Sequence, residues 1–267
     1  RGRSSATSLA YGKDVDQLFE FLSKEKVTDP KKIQPEHIEA FKKFLSTNQY
    51  TAKSISRKLN SIKTFCRYLV SQKIITENPA ARVEHPKYET KPPRILSKME
   101  YRSLRDACHG DTRLYAIVEL LLQTGIRIGE LANLGLDDID TDKIIIRAYE
   151  SHPQRQVPLN QAAQQALTGY LKARPKTKSK TVFVTKTGRP FLIRNIRTAI
   201  DRYFKIAEVK DARVNDLRHT FIAHQLEAGT PLTLVSRLVG HKRLSTTEKY
   251  LAFIKKSDAA PAKLEEL

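Results

Sequence analysis

Acidic residues are in short supply: 29 Asp and Glu face 48 Lys and Arg among 267 residues, a formal charge of +19. The shortfall is not the work of a detachable tail. Residues 1–93 carry 18 basic and 10 acidic side chains, and residues 94–267 carry 30 and 19. A globular surface this broadly basic points to a phosphate-backbone binder whose affinity falls steeply with salt. Long apolar runs are also missing. None approaches the roughly 20 residues that cross a bilayer, so no membrane partner is expected. Arg1–Ser5 has no apolar segment behind its charges, which argues against a secretory signal. Only two cysteines occur, Cys66 and Cys108, both on apolar helical patterns without metal-ligand spacing. They read as core residues of a protein in the reducing cytoplasm. Internal repeats are absent.

What is present is mostly helical periodicity. Val15, Leu18, Phe19 and Leu22 make one apolar stripe, and Ile38, Phe41, Phe44 and Leu45 a second. The longest is Ile55, Leu59, Ile62, Phe65, Cys66 and Leu69. Opposite it lie Lys53, Arg57, Lys58, Lys63 and Arg67, a face expected to meet solvent or DNA. Residues 1–85 therefore read as an all-helical domain. Pro86, Pro92 and Pro93 mark residues 86–94 as a linker. Residues 95–267 form a second domain.

The second domain opens with a capping box, Ser97 to Glu100. Helices are predicted at about 97–108, 113–124, 160–173 and 190–207. Lys143–Ala148 and Arg155–Leu159 read as strands, with Val182–Val184 as a third. Gly125 ends a helix and lets Arg127 project from a turn before a short helix carrying Glu130. A further helix opens around Asn215, Leu217 and Arg218 and ends at Gly229. After Gly240 comes a basic turn, His241-Lys242-Arg243, and then Ser245 and Glu248 in capping-box spacing. Tyr250 follows in the second turn of that helix. Residues 258–267 can form only a short helix, which needs a surface to dock on.

Attack on a DNA phosphodiester needs a nucleophile, cations for the equatorial oxygens and an acid for the leaving oxygen. Arginine suits the second role, because its planar fork grips two oxygens and stays charged. Arg127 and Arg218 supply two forks, His241 can donate to the same oxygens, and Tyr250 is the candidate nucleophile. Its ordinary pKa of about 10 demands neighbouring cations or a base.

Thr124–Leu131 (TGIRIGEL), Leu217–Phe221 (LRHTF) and Leu238–Leu251 (LVGHKRLSTTEKYL) resemble the signature boxes of tyrosine recombinases, most closely the Xer/integrase branch. The spacings agree too: 91 residues separate the arginines and nine separate His241 from Tyr250. The resemblance implies a mainly α fold with a small β-sheet. It implies a helical core-binding domain and an α+β catalytic domain, forming a clamp on double-stranded DNA. It further implies a homotetramer on two paired sites, a 3′-phosphotyrosyl intermediate on Tyr250, a Holliday junction, and neither metal nor ATP. Arg127, Arg218 and His241 carry over as transition-state stabilisers, with Glu130 bracing the arginines. Lys242 and Arg243 join the expected DNA contacts.

Two positions depart from the family pattern. Glu150 stands where a general-acid lysine is usual, and residues 144–171 contain no lysine. Asn215 replaces the histidine or lysine three residues before the second arginine. Asparagine can hydrogen-bond a phosphate but cannot shuttle a proton at neutral pH. Arg147, Arg155 and Lys186 are the candidates to replace the acid. Two other readings therefore stand beside the recombinase: a catalytically impaired relative that occupies recombination sites, and a type IB topoisomerase.

Overall fold

In the computed structural model, which describes residues 5–89, 92–148 and 152–254, the chain divides into two units, Arg1–Lys91 and Pro92–Leu267. The first holds α1 (Ser5–Lys24), α2 (Pro35–Thr47) and α3 (Ala52–Ser71), with a 3-10 turn at Pro30–Lys32. Local chemistry sets the starts. The Asp29 carboxylate accepts the Lys31 N–H at 2.9 Å, and Thr51 Oγ1 accepts that of Ser54 at 3.2 Å. Leu18 and Leu22 of α1, Ile38, Phe41 and Leu45 of α2, and Leu59, Ile62 and Cys66 of α3 are fully buried in one core. Each such side chain contributes roughly 1.5–3 kcal/mol by leaving water.

A buried carboxylate ties α1 to α3. Asp14 accepts Arg57 Nη1 and Nη2 at 2.5 and 2.7 Å, Lys58 Nζ at 3.0 Å and Ser61 Oγ at 2.7 Å. Burial pushes this carboxyl up, but the hydrogen bonds from Arg57, Ser61 and Lys58 outweigh it and leave the pKa below its ordinary value. This corrects the expectation for Lys58. Rather than lying on a solvated face, it is buried, with Nζ also 2.7 Å from Gln17 Oε1.

The second unit contains α4 (Lys98–Cys108), α5 (Thr112–Thr124), α6 (Ile128–Ala132), β1 (Lys143–Ile146) and β2 (Arg155–Pro158). These are followed by α7 (Gln161–Ala173), α8 (Ile193–Ile206), α9 (Val214–Glu227), α10 (Leu232–Val239) and α11 (Ser245–Glu248). The Ser97–Glu100 box forms, with Ser97 N donating to Glu100 Oε2 at 2.8 Å and Glu100 N to Ser97 Oγ at 3.3 Å. α5 is apolar on nearly every side and is the buried centre, packed against α7 and α9. The strands pair antiparallel, Ile144 opposite Val157 and Ile146 opposite Arg155.

Two local expectations are corrected. Val182–Val184 is not a third strand. The segment makes isolated bridges, Gly135 with Thr181 and Val184 with Pro190, and its three side chains are fully buried in the interior. Their apolar run reflects burial, not sheet pairing. Nor does Ser245 cap α11. Leu244 before it is already helical (φ −59°, ψ −37°), so Ser245 sits inside the helix and makes no cap. Tyr250 follows in a 3-10 turn, Lys249–Ala252. No helix among the described residues is long and apolar enough to cross a membrane.

Candidate active site

The site is built around the C-terminal end of α10. A helix leaves its last carbonyls without partners and carries partial negative charge there. Three arginines from distant parts of the chain fill that vacancy. Arg155 Nε donates to Leu238 O at 2.7 Å. Arg127 Nη1 and Arg218 Nη2 donate to Val239 O at 3.2 and 2.7 Å, and Arg127 Nη2 donates to Gly240 O at 2.8 Å. Arg218 Nη1 also donates to Gly125 O, at the end of α5.

Two glycines make this approach possible. Gly125 ends α5 at φ +61°, where a Cβ would lie 2.3 Å from the Phe221 ring. Gly240 ends α10 at φ +69°, where a Cβ would lie 2.9 Å from the Arg155 guanidinium carbon. Both positions need left-handed backbone and lack room for a side chain.

Glu130 ties Arg127 and Arg155 together. Its side chain is fully buried and accepts Arg155 Nη1 and Nη2 at 2.8 and 2.7 Å, Arg127 Nη1 at 3.0 Å and Arg127 N at 2.9 Å. Burial raises its pKa, but the hydrogen bonds from Arg155 and the Arg127 amide outweigh this and bring it to about 2. It is therefore ionised at any physiological pH. Three guanidinium groups around one carboxylate leave an excess of positive charge in a largely buried pocket, which suits an anion. Of five donors on each guanidinium, Arg218 commits two and Arg127 three to described partners, so both keep donors for a ligand.

Arg218 is 8% exposed, and burial with Arg127 and Arg155 nearby pushes it down to about 9, still charged at neutral pH. His241, directly after Gly240, is pushed down to about 3 by burial and by the charges of Arg218 and Arg127, so it is neutral. Its Nδ1 lies 2.8 Å from Thr247 Oγ1. With Thr247 donating to Nδ1, Nε2 carries the ring proton and can donate to an anion. Tyr250 is 6% exposed, and burial raises its phenol, partly offset by the Arg218 charge. Its ring lies nearly parallel to that of His241, centroids 6.4 Å apart.

Comparison with known proteins places the chain in a family. The family model described as "Phage integrase family" matches residues 94–256, and the phage integrase N-terminal SAM-like domain matches residues 1–73. The chain belongs to the phage integrase family. Tyrosine recombinase XerC of Anoxybacillus flavithermus is 30% identical, over 92% of this chain and 87% of that protein. Tyrosine recombinase XerD of Rickettsia bellii is 30% identical, over 94% of this chain and 89% of its own. Among solved structures, a lambda integrase tetramer bound to a Holliday junction shares the fold, with a TM-score of 0.73 and 19% identity. That match covers 99% of this chain and 76% of the other. Like other tyrosine recombinases, the chain cleaves and rejoins DNA strands in site-specific recombination.

Of the residues expected in such a recombinase site, the structure gathers Arg127, Glu130, Arg218, His241 and Tyr250 into one neighbourhood. Asn215 is exposed on the first turn of α9, three residues before Arg218. Lys53, Arg57, Lys242 and Arg243 are exposed, whereas Lys63 is half-buried and donates to Ala81 O at 3.3 Å. Among the candidates for the missing acid, Arg147 turns to Asp138 at 2.6 Å and Lys186 is exposed on a turn. Glu150 lies outside the described residues, as does the 258–267 tail.

Arg155 alone of those candidates reaches the pocket, where its contacts make it a brace. Pairing with a carboxylate makes an arginine a poorer proton donor still. Strand alternation was a signal for it, since Arg155 shares a face with buried Val157. His219 was not singled out in the sequence at all. Its Nδ1 lies 2.6 Å from Tyr250 Oη. It stands inside the Leu217–Phe221 box, one residue past Arg218.

Proposed function

We propose that Tyr250 is the nucleophile of this recombinase and that Arg127, Arg218 and His241 stabilise the transition state at the scissile phosphate. The observation that carries this reading is the convergence of Arg127 and Arg218 on Val239 O, directly before His241 and beside the tyrosine-bearing turn. Tyr250 Oη attacks phosphorus, the 5′-oxygen departs, and the DNA stays joined through a 3′-phosphotyrosyl bond. Conserving the bond energy in that link lets the 5′-hydroxyl of a partner duplex reverse the step, giving a Holliday junction. Donors fixed in a desolvated pocket stabilise the extra negative charge of the phosphorane more than that of the ground state.

The substrate is double-stranded DNA carrying a specific recombination site, and the working assembly is a homotetramer on two paired sites. The charge of +19 and the tetrameric lambda integrase relative support this. Exposed Lys53, Arg57, Lys242 and Arg243 are the proposed backbone contacts, and Asn215 a hydrogen-bonding contact near the phosphate. Cys66 and Cys108 are free and buried, with burial pushing their thiols up to about 11 and about 12. Such inert thiols fit a cytoplasmic protein acting at the nucleoid.

A suicide substrate nicked beside the scissile phosphate tests the assignment. Wild-type protein should form a covalent DNA adduct that disappears in Tyr250→Phe. No adduct at saturating protein would instead match a catalytically impaired relative.

A further inference from the structure

We propose that His219 is a catalytic residue of the cleavage step, taking the phenolic proton of Tyr250 as the tyrosine attacks phosphorus. This rests on Tyr250 being the nucleophile, and it fills a role that the usual proton-handling position cannot. That position holds Asn215, whose amide is exposed and does not accept a proton at neutral pH.

The geometry is specific. His219 Nδ1 and Tyr250 Oη are 2.6 Å apart, although the residues lie 31 positions apart in the chain. The phenol is buried, and His219 is its described hydrogen-bond partner. A phenol has one proton, and a buried one donates it to the acceptor at hand. His241 is not placed for this role: its Nδ1 is engaged by Thr247, and its ring lies alongside that of Tyr250.

Helical geometry explains how one box serves two ends of the reaction. Arg218 and His219 are successive residues of α9, so their side chains point about 100° apart. Arg218 faces the carbonyls at the end of α10, and His219 faces the turn that carries Tyr250. Burial, with help from the Arg218 charge, lowers the His219 pKa against the opposing pull of Asp216. The ring is thus neutral and has a lone pair to offer at physiological pH.

The step balances without a further reactant beyond water. The Oη–P bond forms as the phenolic proton moves to Nδ1. The P–O5′ bond breaks with its electron pair on the 5′-oxygen, which leaves as the 5′-hydroxyl after taking a proton from water. In the rejoining step His219 returns its proton to Oη as the phosphotyrosyl bond breaks.

The test uses the full chain and two nicked suicide substrates, one with the natural 5′-oxygen and one with a bridging 5′-sulfur. A thiolate leaves without needing a proton. His219→Asn keeps an amide near the phenol but cannot accept its proton, and His219→Ala removes both properties. Both variants should bind DNA within about threefold of wild type yet form the adduct roughly 100-fold more slowly at saturating protein. The deficit should persist on the sulfur substrate, because it concerns the nucleophile. Adduct formation by His219→Asn at the wild-type rate would overturn the proposal. So would rescue by the sulfur substrate, which would place His219 on the leaving-group side. An adduct that survives Tyr250→Phe would remove the underlying nucleophile assignment, whatever the His219 variants do.

Discussion

Replacing Glu130 by glutamine isolates the brace of the pocket. The substitution keeps the shape but turns a carboxylate bound by two guanidiniums into a neutral amide. One amide oxygen can still accept, while its NH₂ faces donors, and Arg127, Arg155 and Arg218 lose the negative charge among them. Two independent routes give the cost. The Glu130 pKa falls from 4.5 unfolded to about 2 folded, and at 1.36 kcal/mol per unit this comes to about 3 kcal/mol. Removing one partner of a buried ion pair costs about 3–5 kcal/mol in proteins generally. For a unit the size of Pro92–Leu267, such a loss lowers Tm by about 6–12 °C. Because the folded carboxyl titrates at about 2 and the unfolded one at 4.5, the stabilisation is complete above about pH 4.5 and fades as the pH falls toward 2. Urea unfolding of both proteins between pH 7 and pH 3 reads this directly. The gap should be widest at pH 7 and shrink below pH 4.5. Equal stability at pH 7, or a gap that does not narrow on acidification, would refute the account of Glu130 as an ionised brace.

Other outcomes follow from the same geometry. Gly240→Ala forces a Cβ to within 2.9 Å of the Arg155 guanidinium at φ +69°. It should destabilise the protein by about 1–3 kcal/mol, measured by thermal unfolding, and suppress adduct formation. Arg127→Ala and Arg218→Ala should slow cleavage by about 100-fold or more but weaken DNA binding less than about tenfold, since each removes one phosphate contact among many. A parallel collapse of binding, in titrations with labelled duplex, would contradict that role. Lys53→Ala should lower the salt dependence of DNA binding by about one phosphate contact. Lys58→Met should leave that slope unchanged and instead lower the stability of the helical unit, because Lys58 serves Asp14.

The helical skeleton was legible because apolar periodicity and capping chemistry are local. The Ser97–Glu100 box, the Gly125 stop and the buried stripe of α5 all form as those patterns require. Arg127, Arg218, His241 and Tyr250 were legible through their spacing, although spacing says nothing of how they meet. The misses are tertiary. Lys58 lies between Ile55 and Leu59 on the shoulder of the α3 stripe, and only the buried Asp14 on another helix draws it inward. The Ser245–Glu248 pattern lost to a backbone already helical at Leu244. The Val182–Val184 run has strand composition, yet it fills the interior with an isolated bridge rather than a ladder. His219 gave no local signal beyond its neighbour, because its partner arrives from the end of the described chain.

The end of α10 also acts as a ruler. Leu238, Val239 and Gly240 offer consecutive carbonyls, and the forks of Arg155, Arg127 and Arg218 are laid out along them. Arg127 and Arg218 share the Val239 carbonyl, so the spacing of their forks is set by main-chain atoms at the helix end. Side chains on the outer face of that helix, such as Thr233 and Arg237, are exposed and take no part in the spacing. Sequence drift on this face can retune what the recombinase touches while the spacing of the arginine forks stays the same.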